Sequence, residues 1–251
     1  MKIHKHGNIV VSAAVLLTAI LASTCLYAQQ LQTRPAGDQL QDQNDDNSAT
    51  KIDATGGTND RLFWTLPNFM SIENAQNVPP LTRSQKFKLQ FRSSFDPVQF
   101  PYYAFLAGID QAENEEAGYG QGGMGYAKRY GSNFVDGTAE NLFVNAVFPS
   151  LFRQDPRYFQ KGKGRFLHRA GYAMSRIIVT RTDSGQAMLN LSEIAGAGAA
   201  AGLSNIYHPA SDRTVSNTAI TWGSLMGWDM VGDVLKEFWP DIRHKIHRNK
   251  G

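Results

Sequence analysis

NLSEIAGAGAAAGLSNIY, residues 190–207, carries its apolar residues at helical spacing and not in alternation, so it reads as a helix. Gly196, Ala200 and Ser204 lie four apart along it, as do Gly198 and Gly202. Small residues at that spacing form a groove that lets a second helix backbone come close. Gly171 with Ser175, and Gly223 with Gly227, repeat the spacing in neighbouring segments. The expectation is an all-α fold, a compact multi-helix bundle with Gly/Ala-rich close helix packing. Gly171, Gly196, Gly198, Gly202, Gly223 and Gly227 are its candidate helix-packing positions, read first as tight contacts inside the bundle. Glu193, Asp229, Asp233 and Glu237 interrupt the apolar runs, and no segment after the leader offers the roughly 20 uncharged apolar residues needed to cross a bilayer. Contact with a membrane surface, or with further copies of the chain, through the same grooves stays open.

The flanking sequence extends the helical pattern. Downstream, residues 212–238 form one helix, with Pro240 just beyond its end. Upstream, residues 164–181 form another, with Phe166, Ala170, Ala173, Met174, Ile177 and Ile178 facing inward, and residues 133–152 a third. Further back, Thr82 is an N-cap for a helix that carries Phe87, Phe91 and Phe95 on one face. Asp96-Pro97 restarts a helix to about residue 111, with Asp as cap and Pro in the first turn. GYGQGGMG, residues 118–125, has neither a following Lys-Ser/Thr pair nor a preceding strand, so it is no nucleotide fingerprint but a bend where side chains would clash. Residues 61–80 read as an extended arm packing Phe63, Trp64 and Phe69 onto the core, since Pro67, Pro79 and Pro80 oppose a helix. No run of alternating residues is long enough for a β-barrel.

The N-terminus has the order of a secretory signal. Lys2, His4, Lys5 and His6 precede an apolar stretch over residues 9–26, and Tyr27-Ala28 gives way to Gln29-Gln30. Cleavage after Ala28 is expected, with a retained anchor as the alternative. A lipoprotein box fits poorly, because Ala22 and Thr24 stand where Leu and Gly or Ala belong before Cys25. Cys25 is the single cysteine, so the processed chain has no disulfide, thiol nucleophile or thiolate ligand. Residues 29–60 are too polar to offset the entropy of ordering and read as a disordered linker. The helical domain then spans residues 61–243, followed by a basic tail over 244–251. The formal charge is +3, of which the leader holds Lys2 and Lys5 and no acid, leaving +1. With no concentrated basic stripe, nucleic acid is excluded as a partner. The tail reads as a solvated terminus or as weak attachment to an anionic surface.

In an up-down-up-down bundle the first and third connections share one end. That would bring Asp155, Arg157 and Tyr158 near His208, Asp212 and Arg213, a candidate site for an anion or a small-molecule ligand. The second connection, residues 181–185, would sit at the far end. Arg could hold a phosphoester there while His moves a proton. Against this, Asp212 or Ser211 can cap the following helix, and Asp155 can pair with Arg157 or cap the turn before Pro156. His168, His208, His244 and His247 form no metal set, and no Glu-x-x-His pair occurs on two helices. Asp229, Asp233 and Glu237 share a face and read as partners for Arg on a neighbouring helix. Ser184-Gly185 lacks the Gly-x-Ser-x-Gly elbow. No cofactor or metal is expected.

Several phrases together carry a resemblance: Leu81-Thr82 with Lys86-Phe87, Asp96-Pro97, GYGQG at 118–122, Gly125-Tyr126 with KRYG at 128–131, QDPRYF at 154–159, and Ser204-Asn205 with Tyr207, Pro209 and Asp212-Arg213. Over residues 81–240 the chain resembles an uncharacterised family of secreted bacterial helical proteins, some with a carboxypeptidase-regulatory-like β-sandwich domain ahead of this region. The resemblance implies export and one helical domain, and brings no activity or catalytic residue. The function expected is that of an exported periplasmic or cell-envelope protein, non-enzymatic, associating with membrane, lipid or itself through its small-residue grooves. The alternative is a hydrolase or binding protein for an anionic envelope substrate at the Asp155–Arg157–His208–Asp212–Arg213 end.

Overall fold

The computed structural model describes residues 61–62, 66–68, 70–73 and 78–248. The stretches expected to be signal peptide and linker, Phe63, Trp64 and Phe69 of the arm, and the last three residues of the tail lie outside the described residues. The fold is mostly helical, as its periodicity requires. Helix α1 (Arg83–Ser94) opens on a capping box in which Thr82 Oγ1 accepts from the Gln85 N–H and Gln85 Oε1 accepts from the Thr82 N–H. The Phe face of α1 turns outward: Phe91 and Phe95 are half exposed, while Lys86, Leu89, Gln90 and Ser94 are buried. Asp96 caps the turn before α2 (Gln99–Glu113), accepting from the Val98 N–H at 3.1 Å. The helix therefore starts just after Asp96-Pro97, and Asp96 also pairs with Arg61 of the arm at 2.7 Å.

The Gly-rich bend is built around a guanidinium. Arg129 is fully buried and donates to the carbonyls of Glu115 and Gly120 and to Gln111 Oε1, all within 2.9 Å. A Cβ on Gly125 would lie 2.4 Å from the Gly120 carbonyl oxygen, and one on Gly118 would lie 2.5 Å from Pro209, so the clash expected from the sequence is real. Helix α3 (Gly122–Leu142) begins straight after the bend, well before residue 133. It continues through a π-helical turn (Phe143–Val147) into α4 (Phe148–Phe152).

The arm pairs β1 (Arg61–Leu62) with β2 (Leu66–Pro67), and lays β3 (Ser71–Ile72) parallel to β5 (Tyr158–Phe159). The expected helix over 164–181 is shorter. Helix α5 (Phe166–Ser175) stops, and β6 (Val179–Thr182) turns back onto β7 (Ala187–Leu189), with β4 (Gln154–Asp155) on its other edge. Ile177, Ile178, Val179 and Thr180 are β-branched, and Gly185 sits at φ +85° in the turn, so this stretch favours a hairpin over a helix end. Ala173 and Ile177 are buried as expected, but Phe166, Met174 and Ile178 face out.

Helix α6 (Leu191–Ser204) is capped by Asn190 and runs antiparallel to α3. Helix α7 (Val215–Arg248) runs through Pro240 instead of ending before it. A proline at 240 leaves the Lys236 carbonyl without its helical donor. Gln160 Nε2 fills that place at 2.6 Å, and Trp239 beside it is fully buried.

The interior is held by charged and polar groups as much as by apolar ones. Lys86 donates to Asp183, to the Gln154 carbonyl and to the Pro149 carbonyl, tying α1 to α4 and the hairpin. Arg169 of α5 pairs with Glu237 at 2.8 Å and with Asp241 of α7. A buried charge persists only when its hydrogen-bonding capacity is filled, and these are filled.

Candidate functional site

The loop cluster expected from the topology divides into two places. Asp155 stands opposite Arg181 in the β4–β6 ladder, so the first and second connections lie together. Gln154 Oε1 accepts from the Ser192 N–H at the start of α6, whereas His208 follows the end of α6. The 14 residues of that helix rise about 20 Å, which separates the two groups. The simple up-down count fails because α5 is short and the hairpin brings the chain back.

Each half is engaged in bonds of its own. Arg157 forks onto Asp155 at 2.6 and 2.9 Å and also donates to the Pro79 carbonyl. Tyr158 donates to Glu237 Oε2 at 2.9 Å, and that charge, after burial, pushes the phenol well above its ordinary range. His208 lies between Glu116 Oε1 at 2.6 Å and Asp136 Oδ2 at 2.8 Å. Burial opposes its charge, but the two carboxylates outweigh burial and lift its pKa to about 10. The two carboxylates therefore favour the imidazolium at neutral pH over a free base. Tyr207 donates to the same Asp136, Arg213 to the His208 carbonyl, and Ser211 to Asp212. Thr214, not Asp212 or Ser211, accepts from the third N–H of α7.

The small-residue positions also separate. A Cβ on Gly196 would lie 2.9 Å from Val144 Cα, so α6 meets the π turn there without room for a methyl group. A Cβ on Gly198 would lie 3.6 Å from the Trp222 indole, in ordinary van der Waals contact. Gly171, Gly202, Gly223 and Gly227 would meet nothing within 4 Å, so the reading of these four as internal packing is replaced: they face open space. Beside such surfaces the apolar residues are outward. Phe91 contacts Phe95, Phe95 contacts Phe134 and Phe134 contacts Phe100, with centroids 5.6–6.1 Å apart, making one aromatic patch across α1, α3 and α2. Phe166, Leu167, Trp222 and Trp228 are exposed on α5 and α7.

The cavity worth chemical attention is in the middle of the bundle. A cleft of about 120 Å³ is lined by Tyr172, Arg176, Glu193, Asp229, Asp233 and Lys236, among others. Lys236 pairs with Asp233 at 3.0 Å. Burial opposes the ammonium, but Asp233 and Asp229 hold its pKa above the ordinary value. Burial, with Asp229 next in weight, pushes Glu193 up to about 10, so its carboxyl keeps its proton and hydrogen-bonds to Asp229. Burial and then Asp229 likewise push Glu140 up to about 9. Glu193 Oε1 and Arg176 Nε, both on the cleft, and Glu140 Oε1 nearby are buried without a partner. Two carboxyl groups sharing a proton can give or take one, and the pair titrates as a unit. Among the described residues no three His, Cys, Asp or Glu converge as metal ligands.

Glu140, Arg176 and Lys236 escape sequence reasoning, and Glu193 enters it only as a charge. The signal was the four-residue spacing of Asp229, Asp233 and Glu237 on the helix facing that lone acid. Glu237 does pair with an Arg on a neighbouring helix; Asp233 instead takes Lys236 of its own helix. No protein-family model, curated protein or solved structure matches the chain.

Proposed function

We propose that this protein is exported and works at the cell envelope as a non-enzymatic helical protein that seats its outer faces on lipid. The observation that carries the reading is the connected aromatic patch in which exposed Phe91, Phe95 and Phe100 gather around half-buried Phe134, backed by exposed Phe166, Leu167, Trp222 and Trp228 on other helices. Scattered apolar residues on a surface need no explanation, but a connected patch marks an interaction face. These side chains lie on several helices, and the charged groups Lys86, Arg129, Arg169 and Glu237 are buried instead. No helix of the described residues is long and apolar enough to cross a membrane, and the proposal is of a surface-seated protein. The open glycines Gly202, Gly223 and Gly227 leave shallow grooves where acyl chains fit against the backbone. The basic C-terminal residues favour an anionic leaflet. The secretory order of residues 1–28 and the resemblance to secreted proteins support export.

Fractionation of cells expressing the full chain tests this, with an alkaline carbonate wash of the membranes and N-terminal sequencing of the product. A chain beginning at Gln29 that stays with the washed membranes is the expected result. A processed chain found only in the soluble fraction would sink the lipid reading.

A further inference from the structure

We propose that the central cleft binds a small zwitterion, with the anionic group on Arg176 and the ammonium on Glu193. The proposal stands apart from lipid seating, since it concerns the interior and not the outer faces.

The charges on the cleft mostly cancel in local pairs. Asp155 holds Arg157, and Asp233 holds Lys236. Arg181 lies over the Phe159 ring and Asp229 bonds Glu193, so two groups remain that carry a buried atom without a partner. Arg176 lies 4.4 Å over the Tyr172 ring and gives one hydrogen bond to Ser175 Oγ, while its Nε points at no acceptor. Glu193, only 5 % exposed, bonds Asp229 through one oxygen while its Oε1 meets no donor. Buried polar atoms are almost always paired, so an orphan donor and an orphan acceptor among the residues lining one cavity describe the missing partner. That partner must offer an acceptor to Arg176 and a donor to Glu193.

The alternatives fit less well. A bare cation would leave Arg176 unpaired and would face Lys236. A bare anion would face Glu193, Asp229 and Asp233. A metal ion finds no converging ligand set among the described residues. The volume of about 120 Å³ has room for several waters or one small molecule. An ammonium against Glu193 would favour its ionised form, so binding should release a proton near neutral pH. The charged groups facing Glu193 are Asp229, Asp233 and Lys236 of α7 and Glu140 of α3; the acids oppose that release and Lys236 assists it.

An amino acid and an ethanolamine phosphate headgroup share this chemistry. Calorimetric titration of the full processed chain with glycine, O-phosphoethanolamine, methylammonium, acetate and inorganic phosphate separates the cases. Either zwitterion should bind at least about tenfold tighter than every single-ended probe, and Glu193→Gln and Arg176→Gln should each weaken it about tenfold. Titration in two buffers of different ionisation enthalpy should show proton release that Glu193→Gln removes. If the soluble zwitterions fail, bicelles containing phosphatidylethanolamine should bind and phosphatidylcholine bicelles should not, because choline has no N–H for Glu193. Binding to neither soluble zwitterions nor phosphatidylethanolamine overturns the proposal. So does equal binding of methylammonium, or full binding by a folded Glu193→Gln chain.

Discussion

His208 shows how a residue type suggests one chemistry and its neighbours impose another. A loop His beside Asp and Arg invites an acid–base reading, yet Glu116 and Asp136 clamp both ring nitrogens. Its pKa of about 10 in the fold stands above the ordinary 6.5. A raised value means that its contribution to stability is fully present below pH 6.5 and lost as pH rises through about 10. His208→Gln should therefore cost about 1–3 kcal/mol at pH 6, and the gap from the wild type should close near pH 10.5, in denaturant titrations at both values. An equal deficit at both would show that the ring only packs. Glu193 carries the opposite consequence for substitution. Its carboxyl is raised from 4.5 to about 10, so above pH 4.5 the unfolded chain ionises where the fold does not, and stability drains away up to pH 10. Glu193→Gln should melt with the wild type at pH 4 and higher at pH 8, by about 2–4 °C for each kcal/mol relieved. An unchanged melting temperature at pH 8 would mean that the acid is not held protonated. Neither environment was legible in the sequence, because Glu116 and Asp136 reach His208, and Glu140 and Asp229 approach Glu193, only through tertiary contact.

At the scale of elements, local rules were readable wherever the deciding groups were close in sequence. Thr82 as N-cap and the steric need for glycine in the bend both stand as read, and Gln85 completes a capping box that the sequence reading did not name. The failures have distant causes. Pro240 fits within α7 because Gln160, far along the chain, satisfies the carbonyl that the proline abandons. Strand β6 replaces the end of a helix because β4 offers a partner edge. The glycine grooves make the same point by experiment. Spacing alone puts Gly196 and Gly227 in one class, but the first faces the Val144 backbone and the second faces open space. Gly196→Ala should destabilise by about 1–3 kcal/mol through overpacking. Gly227→Ala should stabilise by up to about 1 kcal/mol, since a helical glycine loses more chain entropy on folding than alanine. Chemical denaturation of the two variants tests this, and a matching loss in both would mean that Gly227 is packed after all.

For the whole molecule, periodicity identified which residues share a face but not which face turns inward. Hydrophobicity pointed Phe166, Met174 and Ile178 at a core, yet all three are exposed, while Lys86 and Arg129 take interior places because networks of carbonyls and carboxylates receive them. An inward charge is not readable from composition when its partners come from several segments. This inversion makes the tryptophans reporters of the lipid proposal. Trp222 and Trp228 are each 38 % exposed, whereas Trp239 is fully buried. In a Trp64→Phe background, vesicles of phosphatidylglycerol with brominated acyl chains should quench the emission of Trp222 and Trp228 and leave that of Trp239. Replacing both exposed tryptophans with Ser removes apolar area worth about 1–3 kcal/mol on burial. Vesicle affinity should then fall roughly ten- to hundredfold at a temperature where the variant is still folded, the melting temperature itself dropping because Trp222 also packs on Gly198 and donates to the Ile194 carbonyl. Salt should weaken binding only partly, because the basic C-terminus supplies a screened attraction while the rings supply an unscreened one. Quenching that vanishes in 0.5 M salt, roughly four Debye lengths' worth of screening over a 15–20 Å approach, would leave the basic residues as the whole of the attraction and remove the aromatic patch from the explanation.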